Sequence, residues 1–359
     1  MTLENKISLL KSKYLNIDID RQIQAWKQKN PSINIETLID QGLSSSFPFY
    51  VIRVGYSCNV QCIHCFVEDK RAAGDLTFEQ LQAVVDTIPN ASSVIITGGE
   101  PTLRNDLIQL LKYIETGHTR LINIQSNGLR FESIEYLKEI EPYFDSILLP
   151  IHSSDSKIFD TVSRVPGSAE KVFRAFKNFA DSTILITTQT VLNQANYSSL
   201  IDTLDYIQAV APGCRMGITF PHPVGAAQSK EIVPKLSDIR PVIQAALKKY
   251  AYLINTHYLP KCMIYPYQTI TNVIDDEDMG DYTKLGIDYH NQAWGEVDYG
   301  VYTGTKILQD TQVEDIREVR VKTPNCCQCK FDAECIGIMK EYAYLYPNLT
   351  ADLTPVKPY

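Results

Sequence analysis

Cys58, Cys62 and Cys65 stand in the run CNVQCIHC with the spacing C-x3-C-x2-C. Three thiolates on one tight loop can bind three corners of a cubane iron–sulfur cluster, which leaves the fourth iron without a protein ligand. An open iron can chelate the amino and carboxylate groups of an amino acid. Structural zinc is the rival chemistry, but zinc generally takes four closed ligands, and His64, between Cys62 and Cys65, is awkwardly placed to complete them. A second group, Cys326, Cys327, Cys329 and Cys335, lies in NCCQCKFDAEC, with Cys262 upstream in LPKCMIYP. Cysteines this dense point to metal. A zinc knuckle and a second cluster both remain open there, because C-x2-C-x5-C also suits tetrahedral thiolate binding. Cys214, alone at the start of a strand, reads as buried packing.

The elements that must position these residues follow a regular rhythm. Six strand-like runs, FYVIRVG, SVIITG, LINIQS, SILLPIH, TILITTQTV and RMGITFP, alternate with amphipathic helical stretches such as TFEQLQAVVDTI and AEKVFRAFKNFA. Strands each followed by a helix imply parallel pairing through right-handed crossovers. Six such units suit an open, three-quarter barrel with its site at the carboxyl ends of the strands, although a doubly wound sheet would give a similar pattern. The cysteine trio follows the first strand, at that end. Residues 1–47 read as a short helical segment, with Asp18 or Asp20 as a cap before RQIQAWKQK. Residues 48–254 form the barrel. Residues 255–359, rich in Tyr, Pro, Asp and Cys, read as a small irregular unit that needs metal to hold it together.

At 359 residues and 44% hydrophobic, the chain can bury a barrel-sized core. The net charge of -8 and the lack of any run of Lys and Arg argue against nucleic acid as a partner. No apolar run is long enough for a bilayer, and MTLENKISLLKSKY alternates charge with apolar residues, so a cytoplasmic protein away from membranes is expected. In a reducing compartment nine cysteines indicate metal or catalysis more than disulfides.

The C-x3-C-x2-C spacing after a first strand resembles the signature of the radical S-adenosylmethionine (radical SAM) superfamily, in which His64 would stand where an aromatic residue is usual. That resemblance extends to TGGEP at the end of the second strand, whose adjacent glycines let backbone approach a ligand closely. It implies that Gly98, Gly99, Glu100 and Pro101 line the site for the cofactor's amino group, mainly through backbone. It also implies a cofactor role for Ser126 in SNG, where Asn127 and Gly128 read as ordinary turn residues. A hydroxyl in PIHSSD, Ser153 by preference over Ser154, would meet the ribose or carboxylate. Arg164 in SRVPGS would fork onto the carboxylate, with a surface ion pair as the alternative. Gln189 and Thr190 on the fifth strand would add to the lining, and the FPHPVG turn is similar to one that flanks the adenine, with His222 there facing the substrate or serving a structural role.

The closing segment resembles a shortened auxiliary-cluster domain of the SPASM or twitch kind. This likeness implies a second four-iron cluster on Cys262, Cys326, Cys329 and Cys335, with Cys327 as an alternative ligand. The expected fold class is α/β, a partial (β/α)6 TIM-type barrel with a helical amino-terminal segment and a small carboxyl-terminal iron–sulfur domain. The expected cofactors are [4Fe–4S] clusters and S-adenosylmethionine, cleaved reductively to a 5'-deoxyadenosyl radical. The expected partners are a peptide or small-molecule substrate and an electron donor such as flavodoxin or ferredoxin. Peptide side-chain modification in ribosomal natural product (RiPP) maturation is the preferred activity. Dehydrogenation or epimerisation of a carbohydrate or cofactor precursor is the second, and a non-enzymatic iron–sulfur or zinc protein the third.

Overall fold

The computed structural model describes residues 2–13, 20, 24, 49–86, 88, 93–115, 122–267, 272–274, 301–303, 320–335 and 337–357. Helix α1 (Leu3–Lys13) is present as the amino-terminal pattern predicts. The RQIQAWKQK helix lies, save for residue 24, outside the described residues.

All six expected strands form: β1 (Phe49–Arg53), β2 (Ser93–Thr97), β3 (Ile122–Gln125), β4 (Ser146–Pro150), β5 (Leu185–Val191) and β6 (Arg215–Thr219). Each pairs in parallel with the strand that follows it in sequence. A sheet ordered by sequence is wound in one direction only, which selects the barrel over a doubly wound sheet, where strand order reverses. The sheet stays open, running from β8 (Asn272–Ile274) through β7 (Ile254–His257) and β6 to β1, with β9 (Val301–Thr303) antiparallel on the outer edge of β1. The parallel rhythm therefore continues past residue 254, where the sequence suggested an end. Leu236–Tyr250 behaves as a crossover helix, but the polar INTH of β7 carries too little apolar signal to read as a strand.

The helices between the strands are α2 (Phe78–Asp86), α3 (Leu107–Glu115), α4 (Ile134–Ile140), α5 (Ser156–Ser163), α6 (Ser168–Ala180), α7 (Leu200–Val210) and α8 (Leu236–Tyr250). Strand alternation sorts the residues. Ile122, Ile124, Ile147 and Leu149 are fully buried in the core shared with the helices. On the other parity Asn123 donates to the Ser146 hydroxyl at 2.9 Å, giving the sheet a polar second face. Helix α6 buries Val172, Ala175, Phe176 and Phe179 at helical spacing, and each large apolar side chain contributes on the order of 2 kcal/mol. Asp155 fixes the start of α5, its Oδ1 accepting from the Lys157 and Ile158 amides, a cap that contributes about 1 kcal/mol.

Beyond α9 (Lys261–Ile264) the chain ends in a two-stranded ribbon, β10 (Arg320–Val321) with β11 (Ile338–Met339), and two short helices, α10 (Lys340–Leu345) and α11 (Leu349–Asp352). This unit docks on α8. The Leu236 amide donates to the Tyr342 hydroxyl at 2.9 Å, and the Ser237 amide to Asp352 Oδ1 at 3.3 Å. Arg240 donates to the carbonyls of both Cys262 and Asp352 at 2.8 Å. No helix of the described residues is long and apolar enough to cross a membrane.

Candidate iron–sulfur and S-adenosylmethionine site

The loop carrying Cys58, Cys62 and Cys65 leaves β1 and is pinned at several points by backbone hydrogen bonds. The Gly99 amide donates to the Gly55 carbonyl at 2.9 Å, and the Glu100 amide to Ser57 at 2.7 Å. The Gln61 and Ile63 amides donate to Ser163 and Val162 at the end of α5, and the Ala226 amide to Cys65. A Cβ on Gly99 would lie 2.2 Å from the Ser57 carbonyl oxygen, and one on Gly98 2.7 Å from that of Gly55. The adjacent glycines thus serve a close approach, as the sequence suggests, but in this structure the backbone they admit is the cysteine loop itself. Gly225, in the FPHPVG turn at φ 57°, repeats the device: a Cβ there would meet the Cys65 carbonyl oxygen at 2.5 Å.

The three thiols are half-buried, and burial dominates their chemistry. It pushes the Cys58 thiol up, and with the added repulsion of ionised Cys58 and Cys65 it pushes Cys62 up to about 12. Thiolates gathered this closely call for positive charge among them, which a bound metal supplies. Two donors are already aimed at the sulfurs: Asn127 Nδ2 lies 3.9 Å from Cys58 Sγ, and Arg71 Nη2 3.9 Å from Cys65 Sγ. The donor set fits a cluster held by three cysteines. Arg71 carries no motif, and Asn127 reads in SNG only as a turn residue; the contact of each with a thiol is recognised only once the fold brings it to the loop.

Glu100 is 3% exposed and works as a tie. Its Oε1 accepts from the Thr102 amide, the Thr102 hydroxyl and the Ser126 hydroxyl, and its Oε2 accepts from the Asn127 amide at 2.6 Å. Ser126, which also accepts from the Gly128 amide, thereby joins the ends of β2 and β3. Pro101 is buried at the start of the following 3-10 turn.

Other expected positions separate. Ser153 is fully buried, its hydroxyl engaged by Ser199 Oγ and the Asp155 amide. The preceding His152 is the residue of PIHSSD that reaches the loop, with its ring 4.8 Å from that of His64. Burial holds both imidazoles well below the usual histidine range, His64 at about 4. Arg164 pairs with Glu68 at 3.5 Å in an exposed ion pair, the alternative that the sequence left open. Gln189 Nε2 donates to Thr219 Oγ1, and its Oε1 is buried without a partner in the described residues. Thr190 donates to the Ile151 carbonyl. His222 lies 4.0 Å from Glu341 on α10. Cys214 is buried, as packing predicts.

The second cysteine group converges as well. Cys262, Cys326, Cys329 and Cys335 line one pocket, with Phe331 and Leu353 among its apolar walls. Cys327 does not line it; its thiol is exposed and donates to the Pro324 carbonyl at 3.0 Å. The Val356 amide donates to Cys329 Sγ at 3.3 Å, and Thr323 Oγ1 lies 3.3 Å from Cys326 Sγ. Burial raises Cys262, while the Arg240 cation opposes that rise.

Residues 52–207 match the family model of the Radical SAM superfamily. They are a radical SAM domain. Its cofactors are a [4Fe–4S] cluster and S-adenosylmethionine. The chain that carries this domain is 25% identical over 217 residues to the probable GTP 3',8-cyclase of Sulfurisphaera tokodaii, across 58% of this chain and 67% of the cyclase. It is 25% identical over 211 residues to the mycofactocin maturase MftC of Mycolicibacterium smegmatis, across 55% of this chain and 50% of the maturase. The match thus spans about half of the maturase's length. In structure it is similar to Streptococcus suis SuiB, with a TM-score of 0.48 and 17% identity over 68% of this chain and 59% of that one.

Proposed function

We propose that this radical SAM enzyme abstracts hydrogen from a peptide side chain in the maturation of a ribosomally made natural product. The observation that carries the radical chemistry is the cysteine trio at the carboxyl mouth of the sheet, pinned by backbone to the GGEP turn. Bound there, a reduced cluster would supply one electron to the sulfonium of S-adenosylmethionine, whose carbon–sulfur bond would part to give methionine and a 5'-deoxyadenosyl radical. The chain's own residues prepare the place. Cys58, Cys62 and Cys65 hold three corners, Asn127 and Arg71 offset thiolate charge, and the Glu100 tie fixes the turn on which Gly98 and Gly99 present backbone. Gln189, with a buried Oε1 free among the described residues, offers an acceptor on the barrel's inner side.

Cys262, Cys326, Cys329 and Cys335 would hold a second, fully ligated cluster. A cluster without an open iron suits electron transfer better than substrate binding. Flavodoxin or ferredoxin would supply the electrons. The likeness to a maturase supports modification of a peptide. The likeness to cyclases that by name act on GTP favours a second reading, radical chemistry on a small molecule.

The test is anaerobic reconstitution followed by reduction with S-adenosylmethionine, first alone and then with the peptide encoded beside the gene. We expect 5'-deoxyadenosine in the first case and a mass change in the peptide in the second. An unmodified peptide together with turnover of a nucleotide or sugar would favour the small-molecule reading. No 5'-deoxyadenosine at full iron loading would refute both.

A further inference from the structure

Two buried histidines beside the cysteine loop have no part in this scheme. His64 leaves the cysteine loop, His152 follows β4, and their rings meet edge to face with centroids 4.8 Å apart. His152 is 3% exposed, and the Nδ1 atoms of both rings are buried without a hydrogen-bond partner in the described residues. A buried polar atom left unbonded is costly, so two side by side ask for a ligand. Cys62 completes the group: one ligand atom from each of Cys62, His64 and His152 lies within 4.8 Å of the others. A tetrahedral ion with bonds of about 2.0–2.3 Å keeps its ligand atoms about 3.5 Å apart, so a contraction of roughly 1 Å would close these three around it. The other two thiols face different donors, Cys58 toward Asn127 and Cys65 toward Arg71.

We propose that Cys62, His64 and His152 bind a single divalent ion of the zinc type in the chain that has not yet received its cluster. Two imidazoles and one thiolate suit a borderline-soft ion, with a water molecule in the fourth position. On binding, Cys62 releases its thiol proton to solvent and the imidazoles bind as neutral ligands. Cys62 serves both states, so the single ion and the cluster exclude one another. Zinc bound here delays cluster assembly.

The test uses the full chain freed of iron and titrated anaerobically with cobalt(II) chloride, reading bound metal and the visible spectrum. The carboxyl-terminal thiolates also take cobalt, so differences between variants are the measure. His152→Phe and His64→Phe should each lose one cobalt equivalent yet regain the parent's iron on reconstitution. Cys65→Ala should keep that equivalent and lose the barrel-mouth iron, and Cys62→Ala should lose both. Cobalt retained in both histidine variants, or lost in Cys65→Ala, overturns the proposal. Zinc-edge X-ray absorption on the unsubstituted chain needs no variant. Nitrogen neighbours at about 2.0 Å are expected, and an all-sulfur first shell overturns it. The iron count after reconstitution is independent of either metal result, so failure of the cluster assignment would be seen separately.

Discussion

The barrel-mouth cysteines share one loop, residues 58–65, and rely on neighbouring backbone to hold it. The carboxyl-terminal four come from two distant stretches of chain and rely on an apolar pocket. The first group is three-membered, bordered by an amide and a guanidinium, with polar strand ends around it. The second is four-membered, with Phe331 and Leu353 in its walls. Incomplete coordination beside polar groups leaves room for a ligand to enter. Complete coordination in an apolar pocket leaves the metal only electrons to exchange. On the proposed function, the difference would separate a place where bonds are broken from one that relays charge.

Replacing Cys58, Cys62 and Cys65 together by alanine should abolish 5'-deoxyadenosine formation and remove about half of the iron, and Cys262→Ser should remove the other half. Iron and sulfide counts after reconstitution check both; loss of all the iron from either change would mean the two groups are not independent. Gly99→Ala forces a Cβ against the Ser57 carbonyl. It should cost about 1–3 kcal/mol in chemical unfolding and deplete the mouth cluster selectively. The next expectation concerns β7, the strand that leads to Cys262. Burial pushes His257 from its ordinary 6.5 down to about 4. The unfolded chain takes up that proton first as the pH falls. The stability tied to His257 is therefore full above about 6.5 and is lost between there and about 4, by up to about 1.4 kcal/mol per pH unit. Urea midpoints at pH 7 and pH 5 should show this slope, and His257→Gln should reduce it, leaving the part that buried His64 and His152 contribute. The smallest effect belongs to Cys327→Ser: iron content unchanged and stability within about 0.5 kcal/mol, as for an exposed side chain outside the pocket.

The six expected strands were legible because Val, Ile and Thr runs bounded by turns persist whatever surrounds them. The cysteine trio was legible because its spacing is local. Strand β7 was not, since Asn255, Thr256 and His257 owe their place to pairing with β6 instead of to their own apolar pattern. Ser153 illustrates a one-residue limit. Adjacent residues at a strand end point opposite ways, so a motif that names a hydroxyl cannot say whether it or His152 turns toward the loop. Glu100 was legible as a site residue, but its part in tying β2 to β3 rests on four donors that converge only after folding. Arg71 carries no local signature at all, and that of Asn127 speaks only for a turn. Cys327 looked as fit a ligand as its neighbour Cys326 in the sequence, and it is the pocket, lined by Cys262 and not by the outward Cys327, that tells them apart.

Helix α8 supports both the last strands of the barrel and the tail that follows, with Arg240 gripping the carbonyls of Cys262 and Asp352 at once. A growing polypeptide exposes the mouth cysteines early, but the backbone that pins their loop arrives over a long stretch, from Gly99 and Glu100 through Val162 and Ser163 to Ala226. The carboxyl-terminal quartet cannot gather until the final turns emerge and settle on that helix. Everything that shapes the mouth loop still precedes the turns that gather the quartet, and a chain cut short before Asp352 would lack the carbonyl that Arg240 holds.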